Sequence, residues 1–305
     1  MRNPPRTRQK KNDKSKTDKL LHAPPLSDEN YAGFYEQRKN ASTATVSTIE
    51  WLRHHAATLL EEMRKDGSCE TFAILSVGSG SGEIDMEFIR AMSPVLEPHW
   101  NGLRYDALDP SEAHNRRFAR RLAREPLEAH VEVSLLGKRF DPSENPEMYE
   151  QYDLVLLIQV LYYMDDPEET IRQALACLKP EGRIIIVHQS AKGIPQVQRK
   201  HMLDLKGDEK EILTTDEIKS SLDILNVNYL FNYIDARLDL TECLEQSDKG
   251  MEILSFCMEC DLRALHGKRL MSLLKTLWSL AEFKEDGAAL LCEPVGIFIV
   301  GKYQY

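Results

Sequence analysis

The sequence has no hydrophobic segment long enough to cross a membrane. Its longest apolar run, Leu154 to Tyr163, is interrupted by Gln159, whereas a membrane-spanning helix needs about 20 apolar residues. The N-terminal segment carries charge without an apolar core behind it, so a secretory signal is also lacking. We therefore expect a cytoplasmic protein without a membrane partner.

The six cysteines lack the spacing of a disulfide framework. They lie at positions 69, 177, 243, 257, 260 and 292 of the 305-residue chain. A chain of this length buries a sizeable core without covalent cross-links, and free thiols suit a reducing compartment. Cys257 and Cys260 form a CxxC pair without a second pair, so we predict no metal site.

Positive charge is scarce outside the N-terminal segment. Residues 1–19 carry eight of the 39 lysines and arginines but two of the 49 aspartates and glutamates, and the chain has a net charge of -10. An acidic body repels phosphates, which argues against a nucleic-acid partner for the folded part. Residues 1–28 are polar and without periodicity, so we predict a disordered basic tail. Nuclear import or polyanion binding stays open for its basic cluster.

A glycine-rich turn between a strand and a helix is the most informative motif. A short apolar run, Ile74 to Val77, precedes Gly78, Gly80 and Gly82, and Glu83 opens a helical pattern. Glycine permits positive φ and lets a ligand lie directly on the backbone. The motif predicts a binding site of nucleotide size.

The spacing of the glycines favours S-adenosylmethionine over a dinucleotide. NAD-binding turns read G-x-G-x-x-G, whereas this turn reads G-x-G-x-G and is followed by Glu83. A carboxylate at the helix N-terminus would repel a pyrophosphate, but S-adenosylmethionine has a sulfonium and no phosphate. Asp109 follows the second predicted strand, where its two oxygens suit the ribose hydroxyls. The alternative for Asp109 is an acid that only starts a helix.

Strands and helices alternate from residue 73 to residue 190, which predicts a doubly wound, mostly parallel α/β sheet of Rossmann-like type. Apolar strands are expected at 103–108, 131–135, 152–160 and 183–188, and an antiparallel last strand at 296–300 is expected to form the sheet edge. We divide the chain into the tail 1–28, a cofactor-binding core 29–190 with an N-terminal lid, and a substrate-covering region 191–305. That last region is helical, with one or two helices between 243 and 281, and it supplies the closing strands.

Four motifs resemble the histamine N-methyltransferase family. They are L-S-V-G-S-G-S-G-E-I-D at 75–85, L-I-Q-V-L-Y-Y-M-D-D at 157–166, L-D-P-S at 108–111 and N-A-S-T at 40–43. The similarity runs in register from about Tyr31 to Val300 and is strongest between 74 and 190. It implies a class I S-adenosylmethionine-dependent methyltransferase with an added substrate-covering region. The family methylates a ring nitrogen of histamine.

The resemblance also implies which residues form the site. Cofactor contacts would come from the glycine turn with Glu83, from Asp109 at the position of the family's ribose-binding glutamate, from His114 and from Ile158. Gln159 would hydrogen-bond the acceptor ring between aromatic walls formed by Tyr31, Tyr35, Tyr162, Tyr163 and Phe256. The alternative for these aromatic side chains is that they only fill a core or anchor the N-terminal segment.

Three positions depart from the family's substrate contacts. Ala44 replaces the acid that holds the substrate amine, Ile194 replaces an indole, and Pro294, next to Glu293, replaces an asparagine. We therefore expect an enzyme that methylates a ring or amine nitrogen of a small molecule, which is histamine-like or another imidazole compound. We also expect a monomer. A non-imidazole acceptor and a non-catalytic S-adenosylmethionine-binding protein stay open as alternatives.

The expected mechanism is positioning without a catalytic acid or base. Methyl transfer is an in-line displacement, for which alignment supplies most of the acceleration. An imidazole has a pKa of about 6.5 and is largely neutral at cytosolic pH, so it needs no strong base.

Overall fold

The computed structural model describes residues 22–63, 71–96, 100–207, 211–263 and 265–301. Residues 1–21 of the predicted tail and Cys69 lie outside the described residues. The predicted tail extends too far at its C-terminal end, because residues 22–27 contact the rest of the chain and Ala23 is buried. The Ala23 amide donates to the Leu205 carbonyl at 2.8 Å, and Pro25 forms a β-bridge with Cys260.

Helices and strands alternate along most of the described chain. The strands are Thr71–Val77 (β1), Gly102–Leu108 (β2), Val131–Leu136 (β3), Tyr152–Ile158 (β4), Leu178–Gln189 (β5), Tyr229–Ile234 (β6), Arg237–Asp239 (β7), Ala281–Phe283 (β8), Ala289–Cys292 (β9) and Val295–Gly301 (β10). The helices are Asp28–Asn40 (α1), Ala44–Glu62 (α2), Glu83–Leu96 (α3), Glu112–Arg124 (α4), Pro167–Cys177 (α5), Ile194–Lys206 (α6), Thr215–Ile224 (α7), Thr241–Leu244 (α8), Asp248–Cys257 (α9) and Lys268–Leu280 (α10).

A seven-stranded sheet with the order β3-β2-β1-β4-β5-β10-β6 forms the centre of the fold. Strands β1 to β5 are parallel, and β10 is antiparallel to β5 and to β6. The predicted α/β class with an antiparallel last strand is thereby confirmed.

The predicted position of the last strand is wrong in one respect, because β10 is internal and β6 forms the edge. Strand β10 is buried on both faces, with Ile297, Phe298 and Val300 in the core, as is typical of an internal strand. Strand β6 exposes Leu230 and Tyr233, which suits an edge.

Helices cover both faces of this sheet. Successive strand residues point to opposite faces, and accordingly Ile74 packs in one hydrophobic core with α2 and α3, while Leu75 packs in another with α5 and α7. Each fully buried side chain of this size stabilises the fold by about 1.5–3 kcal/mol. Helix α4 begins directly after Ser111, whose hydroxyl accepts the His114 amide at 3.4 Å.

The C-terminal region has a hydrophobic core of its own. Buried side chains of α6, α8, α9 and α10 pack there with a three-stranded sheet of order β7-β9-β8. The stretch 243–281, where one or two helices were predicted, contains the two helices α9 and α10 and the last two residues of α8. Helix α1 packs against α9, which attaches the N-terminal segment to this region. None of the helices in the described ranges combines the length and apolar content needed to span a bilayer.

Candidate functional site

The three glycines of the turn between β1 and α3 all have positive φ, at 70°, 58° and 72°. A Cβ atom on Gly78 would lie 2.4 Å from Val160, and one on Gly82 would lie 2.2 Å from the Phe118 ring. No heavy atom lies within 4 Å of a Cβ built on Gly80. Two of the glycines are therefore required by packing, whereas Gly80 faces open space.

Asp109 connects this turn to the end of β2. Its carboxylate accepts the Gly80 amide at 3.0 Å through Oδ2 and the Ser111 amide at 2.8 Å through Oδ1. The imidazole Nδ1 of His114 lies 3.3 Å from Oδ1, so the structure brings the two predicted cofactor residues together. A carboxylate offers about four lone-pair sites, which leaves capacity for at least one hydroxyl donor besides the two amides and the imidazole.

Unpartnered buried polar atoms lie next to the glycine turn. The Ser79 hydroxyl oxygen and the Asn115 side-chain oxygen are buried and have no hydrogen-bond partner within the described residues. Asn115 also donates to the Asp109 carbonyl at 2.8 Å. Because unpaired buried polar atoms are rare, their position beside an open glycine turn fits a ligand rich in hydroxyl and amino groups, such as an adenosyl group.

Asp85 is a buried carboxylate that the sequence analysis left without a role. It is 5% exposed and accepts the Tyr105 hydroxyl at 2.8 Å. Burial raises the pKa of Asp85. The residue shares one face of α3 with Phe88, Ile89 and Met92, at helical spacing. The sequence could have singled out Asp85, because it is an acid on the otherwise apolar face of α3.

Gln159 lies in the left-handed region with φ of 50°, directly after β4. The predicted strand 152–160 therefore ends two residues early, at Ile158, which is partly buried against the core. The Gln159 amide donates to the Val187 carbonyl at 2.8 Å, while its side chain has no hydrogen bond within the described residues. Left-handed backbone at a residue other than glycine costs about 1–3 kcal/mol and clusters at functional sites.

The five predicted aromatic wall residues meet in one cluster. The Tyr31 and Tyr163 hydroxyls lie 3.0 Å apart, and the Phe256 ring centroid lies 5.3 Å from that of Tyr31 and 5.5 Å from that of Tyr35. The Tyr162 and Tyr163 centroids are 4.5 Å apart. The cluster combines α1, the turn after β4 and α9, which are far apart in sequence.

Two ion pairs fasten α1 beside this cluster. Arg38 donates to Glu293 at 2.5 Å, and the second Glu293 oxygen accepts the Ser42 hydroxyl at 3.3 Å. Lys39 pairs with Glu83, so the predicted cofactor residue Glu83 is bound by a side chain of α1. Sequence reasoning missed Arg38, because its partner lies 255 residues away.

The three positions that depart from the family pattern are packed in different ways. The Ala44 amide donates to the Ser42 hydroxyl at 3.1 Å. Ile194 is 5% exposed within the C-terminal core. The Pro294 carbonyl accepts the Ser190 amide at 3.2 Å, which holds the start of β10 against the end of β5.

His188 is a fully buried imidazole at the end of β5. Its Nε2 lies 3.2 Å from the Leu213 carbonyl, its Nδ1 has no partner within the described residues, and its ring centroid lies 5.4 Å from that of Tyr162. Burial lowers the pKa of His188 to about 4. At neutral pH the ring is therefore neutral, and the tautomer that protonates Nε2 satisfies the carbonyl.

A cavity of about 370 Å³ lies apart from the predicted site residues. It is lined by Ala191, Lys192, Gly193, Gln196, Leu280, Leu291 and Cys292. Across the described ranges, no group of three or more His, Cys, Asp or Glu side chains is arranged to hold a metal ion.

Residues 75–184, from β1 into β5, match the methyltransferase domain family. The chain carries a methyltransferase domain. This segment contains the glycine turn, Asp109 and Gln159, and the domain confirms the predicted cofactor, S-adenosylmethionine. A solved structure agrees in fold: a protein from Bacillus halodurans, described as a putative methyltransferase, has a TM-score of 0.52 at 12% identity, covering 82% of this chain and 100% of that one.

The methyltransferase domain and its flanks are similar to curated histamine N-methyltransferases, which confirms the resemblance. Histamine N-methyltransferase B of Xenopus laevis is 27% identical over 200 residues, which are 62% of this chain and 67% of that protein. The Danio rerio histamine N-methyltransferase is 27% identical over 62% of this chain and 66% of its own length. Carnosine N-methyltransferase 2 of Gallus gallus is 26% identical over 58% and 56%. The matches thus span about two thirds of these relatives or less.

Proposed function

We propose that this chain transfers the methyl group of S-adenosylmethionine to a ring nitrogen of a small imidazole compound. The observation that carries the proposal is the position of Gln159. The next residue, Val160, packs against Gly78 of the cofactor turn, and Tyr162 and Tyr163 belong to the aromatic cluster. Histamine and carnosine, which the names of the relatives contain, both possess an imidazole ring.

The cofactor would lie on the glycine turn, where Gly80 leaves open space. Asp109 would accept the ribose hydroxyls, with His114 beside it and Ile158 next to the reacting end. The buried Ser79 hydroxyl would gain a partner. When bound, S-adenosylmethionine supplies a methyl group on a sulfonium, and Glu83 with its partner Lys39 would close the turn toward the lid.

The acceptor ring would be oriented by Gln159, whose side chain has no hydrogen bond within the described residues. Its side-chain oxygen would accept the ring N–H, which directs the lone pair of the other ring nitrogen to the cofactor. The aromatic faces would exclude water and attract the cationic product by about 0.5–2 kcal/mol. A neutral imidazole needs no base for this reaction, which fits a site that works by alignment.

An assay with radiolabelled S-adenosylmethionine and a panel of imidazoles and aliphatic amines tests this function. We expect methylated imidazoles and no methylated amines, since amines with a pKa of about 10 need a base. Methylation of amines alone would favour the non-imidazole alternative. Binding of S-adenosylhomocysteine in calorimetry without turnover of any acceptor would favour a non-catalytic binding protein.

Asp109→Ala is expected to raise the dissociation constant of S-adenosylhomocysteine about thirtyfold, since charged hydrogen bonds contribute about 1.5–3 kcal/mol. The variant also loses the bonds to the Gly80 and Ser111 amides that shape the turn. Calorimetry measures the change. The control is Asp106→Asn, on the strand that precedes Asp109, whose carboxylate accepts the Tyr152 hydroxyl at 2.9 Å and not a turn amide. Equal cofactor affinity in Asp109→Ala and the parent contradicts the ribose assignment.

Gln159→Ala is expected to lower kcat/KM for the acceptor about tenfold, the effect of losing one hydrogen bond of about 1.4 kcal/mol. Affinity for S-adenosylhomocysteine should stay unchanged. The control is Gln189→Ala at the end of β5, whose side chain donates to the Leu213 carbonyl at 2.9 Å. A loss of cofactor affinity in Gln159→Ala that equals the loss of kcat/KM would speak against acceptor binding by Gln159.

A further inference from the structure

The ion pair between Arg38 and Glu293 is largely buried. The two side chains are 22% and 6% exposed, and Arg38 Nη2 lies 2.5 Å from Glu293 Oε1. A buried ion pair contributes little net stability, because desolvation of the two charges offsets their attraction. Removal of one partner is expensive, however, because it leaves the other charge buried and unpaired. The free energy of binding a ligand next to this pair therefore depends strongly on the charge of the ligand.

The pair lies beside the proposed acceptor position. Tyr31, Tyr35 and Arg38 occur at i, i+4 and i+7 of α1, so they share one face of the helix. Burial raises the pKa of Tyr162, and the positive charge of the Arg38 guanidinium opposes that rise. Glu293 lies two residues before Val295, which pairs with Gln189 at the end of β5.

The other ion pair of α1, between Lys39 and Glu83, does not provide an unpaired charge that could bind the acceptor instead. Glu83 is bound by Lys39, and Lys39 has no second acid within the described residues. Arg38 has five N–H donors, and Glu293 has two acceptor oxygens. Both groups of the buried pair therefore have hydrogen-bonding capacity beyond their mutual contact.

We propose that Arg38 and Glu293 recognise the charged end of a zwitterionic imidazole acceptor, which carries a carboxylate besides its ammonium group. This inference rests on the proposed function. The carboxylate binds the guanidinium fork of Arg38, and the ammonium group binds Glu293. A zwitterion supplies a partner to both charges and leaves the net charge of the site unchanged. An amine without a carboxylate, such as histamine, pairs with Glu293 alone and adds a positive charge beside Arg38 that no further anion balances.

The first test compares kcat/KM for four imidazole compounds: histidine, β-alanylhistidine, histamine and imidazolepropionate. Histidine and β-alanylhistidine are zwitterions, whereas histamine and imidazolepropionate each carry a single charge. We expect kcat/KM for at least one zwitterion to be about tenfold higher than kcat/KM for either singly charged compound, the effect of about 1.4 kcal/mol. Equal kcat/KM for all four compounds, or a higher value for histamine, overturns the inference.

Reciprocal variants separate charge recognition from simple fastening of the lid. Arg38→Gln should lower kcat/KM for the zwitterions about tenfold and shift the preference toward histamine, because Glu293 is then free for an ammonium group. Glu293→Gln should shift the preference toward imidazolepropionate. Lys39→Gln is the matched control on the same helix: it should change kcat/KM for all four compounds by one common factor. If Arg38→Gln and Glu293→Gln also act by one common factor, the pair only fastens α1, and the inference fails.

Binding measurements keep this inference distinguishable from the proposed function. Calorimetry on protein saturated with S-adenosylhomocysteine gives a dissociation constant for each of the four compounds in the parent and the variants, and unchanged cofactor affinity shows that a variant is folded. Preferential binding of zwitterions without methylation of any compound contradicts the methyl transfer but supports recognition by Arg38 and Glu293. Binding of none of the four, or of all four equally, overturns the inference.

Discussion

Gly82→Ala is expected to lower the free energy of unfolding by about 2–5 kcal/mol. The added Cβ would lie 2.2 Å from the ring of Phe118, which is fully buried and has no room to move away. Overpacking of a core costs about 1–3 kcal/mol. Alanine at φ of 72° adds about 1–2 kcal/mol, because its Cβ approaches the following carbonyl oxygen. Urea unfolding of the parent and the variant measures the difference.

Gly80→Ala is the matched control for this prediction. Its φ of 58° is similar, but no heavy atom lies within 4 Å of the added Cβ. We expect a loss of about 1–2 kcal/mol from the backbone alone. Its affinity for S-adenosylhomocysteine should fall as well, since the methyl group occupies the proposed cofactor position. Equal losses of stability in both variants would show that contact with Phe118 does not determine the requirement at residue 82.

His188 is expected to make the stability of the protein fall by about 3 kcal/mol between pH 7 and pH 4, relative to His188→Gln. Burial lowers the pKa of His188 from 6.5 to about 4, and one pKa unit corresponds to about 1.4 kcal/mol. Below pH 6.5 His188 becomes protonated in the unfolded chain, whereas in the folded chain it stays neutral until the pH approaches 4. The contribution of neutral His188 to stability is therefore fully present above pH 6.5 and is lost as the pH falls toward 4.

The measurement is urea unfolding of the parent and His188→Gln at several pH values. Glutamine retains a side-chain N–H for the Leu213 carbonyl, which His188 Nε2 contacts at 3.2 Å. Glu217 is the acid that favours the charged ring, and it does not outweigh the burial. Identical pH dependence in both proteins would contradict a buried neutral imidazole. His188→Gln would then report only the packing beside Tyr162.

Local motifs made much of the fold and part of the site predictable. The strand–turn–helix around Gly80 and the helix start at Ser111 depend on residues close in sequence, and glycine spacing and capping record such local requirements directly. The alternation of strands and helices predicted a parallel sheet. The aromatic wall was predicted by resemblance, and the structure brings its five members together.

Features that depend on contacts between distant segments were missed. The position of β6 at the edge of the large sheet depends on which strands become its neighbours in the fold. The strands of the sheet β7-β9-β8 have three or four residues, which is too short to show a periodicity. The Arg38–Glu293 pair joins residues 255 positions apart. No local pattern distinguishes Arg38 from an arginine on a solvated helix face, because only the packing of α1 on α9 removes it from water.

The sequence by itself determined a methyltransferase domain and its cofactor, since the turn needs glycine and lacks the features that bind a pyrophosphate. Tertiary structure alone decided which charges stand beside the acceptor position. Helices α1 and α9, the turn after β4 and the residues just before β10 converge at this proposed position. Burial then changes the electrostatic cost of the charged side chains that they carry. A charge has little energetic consequence in water but a large one once it is desolvated and must be paired.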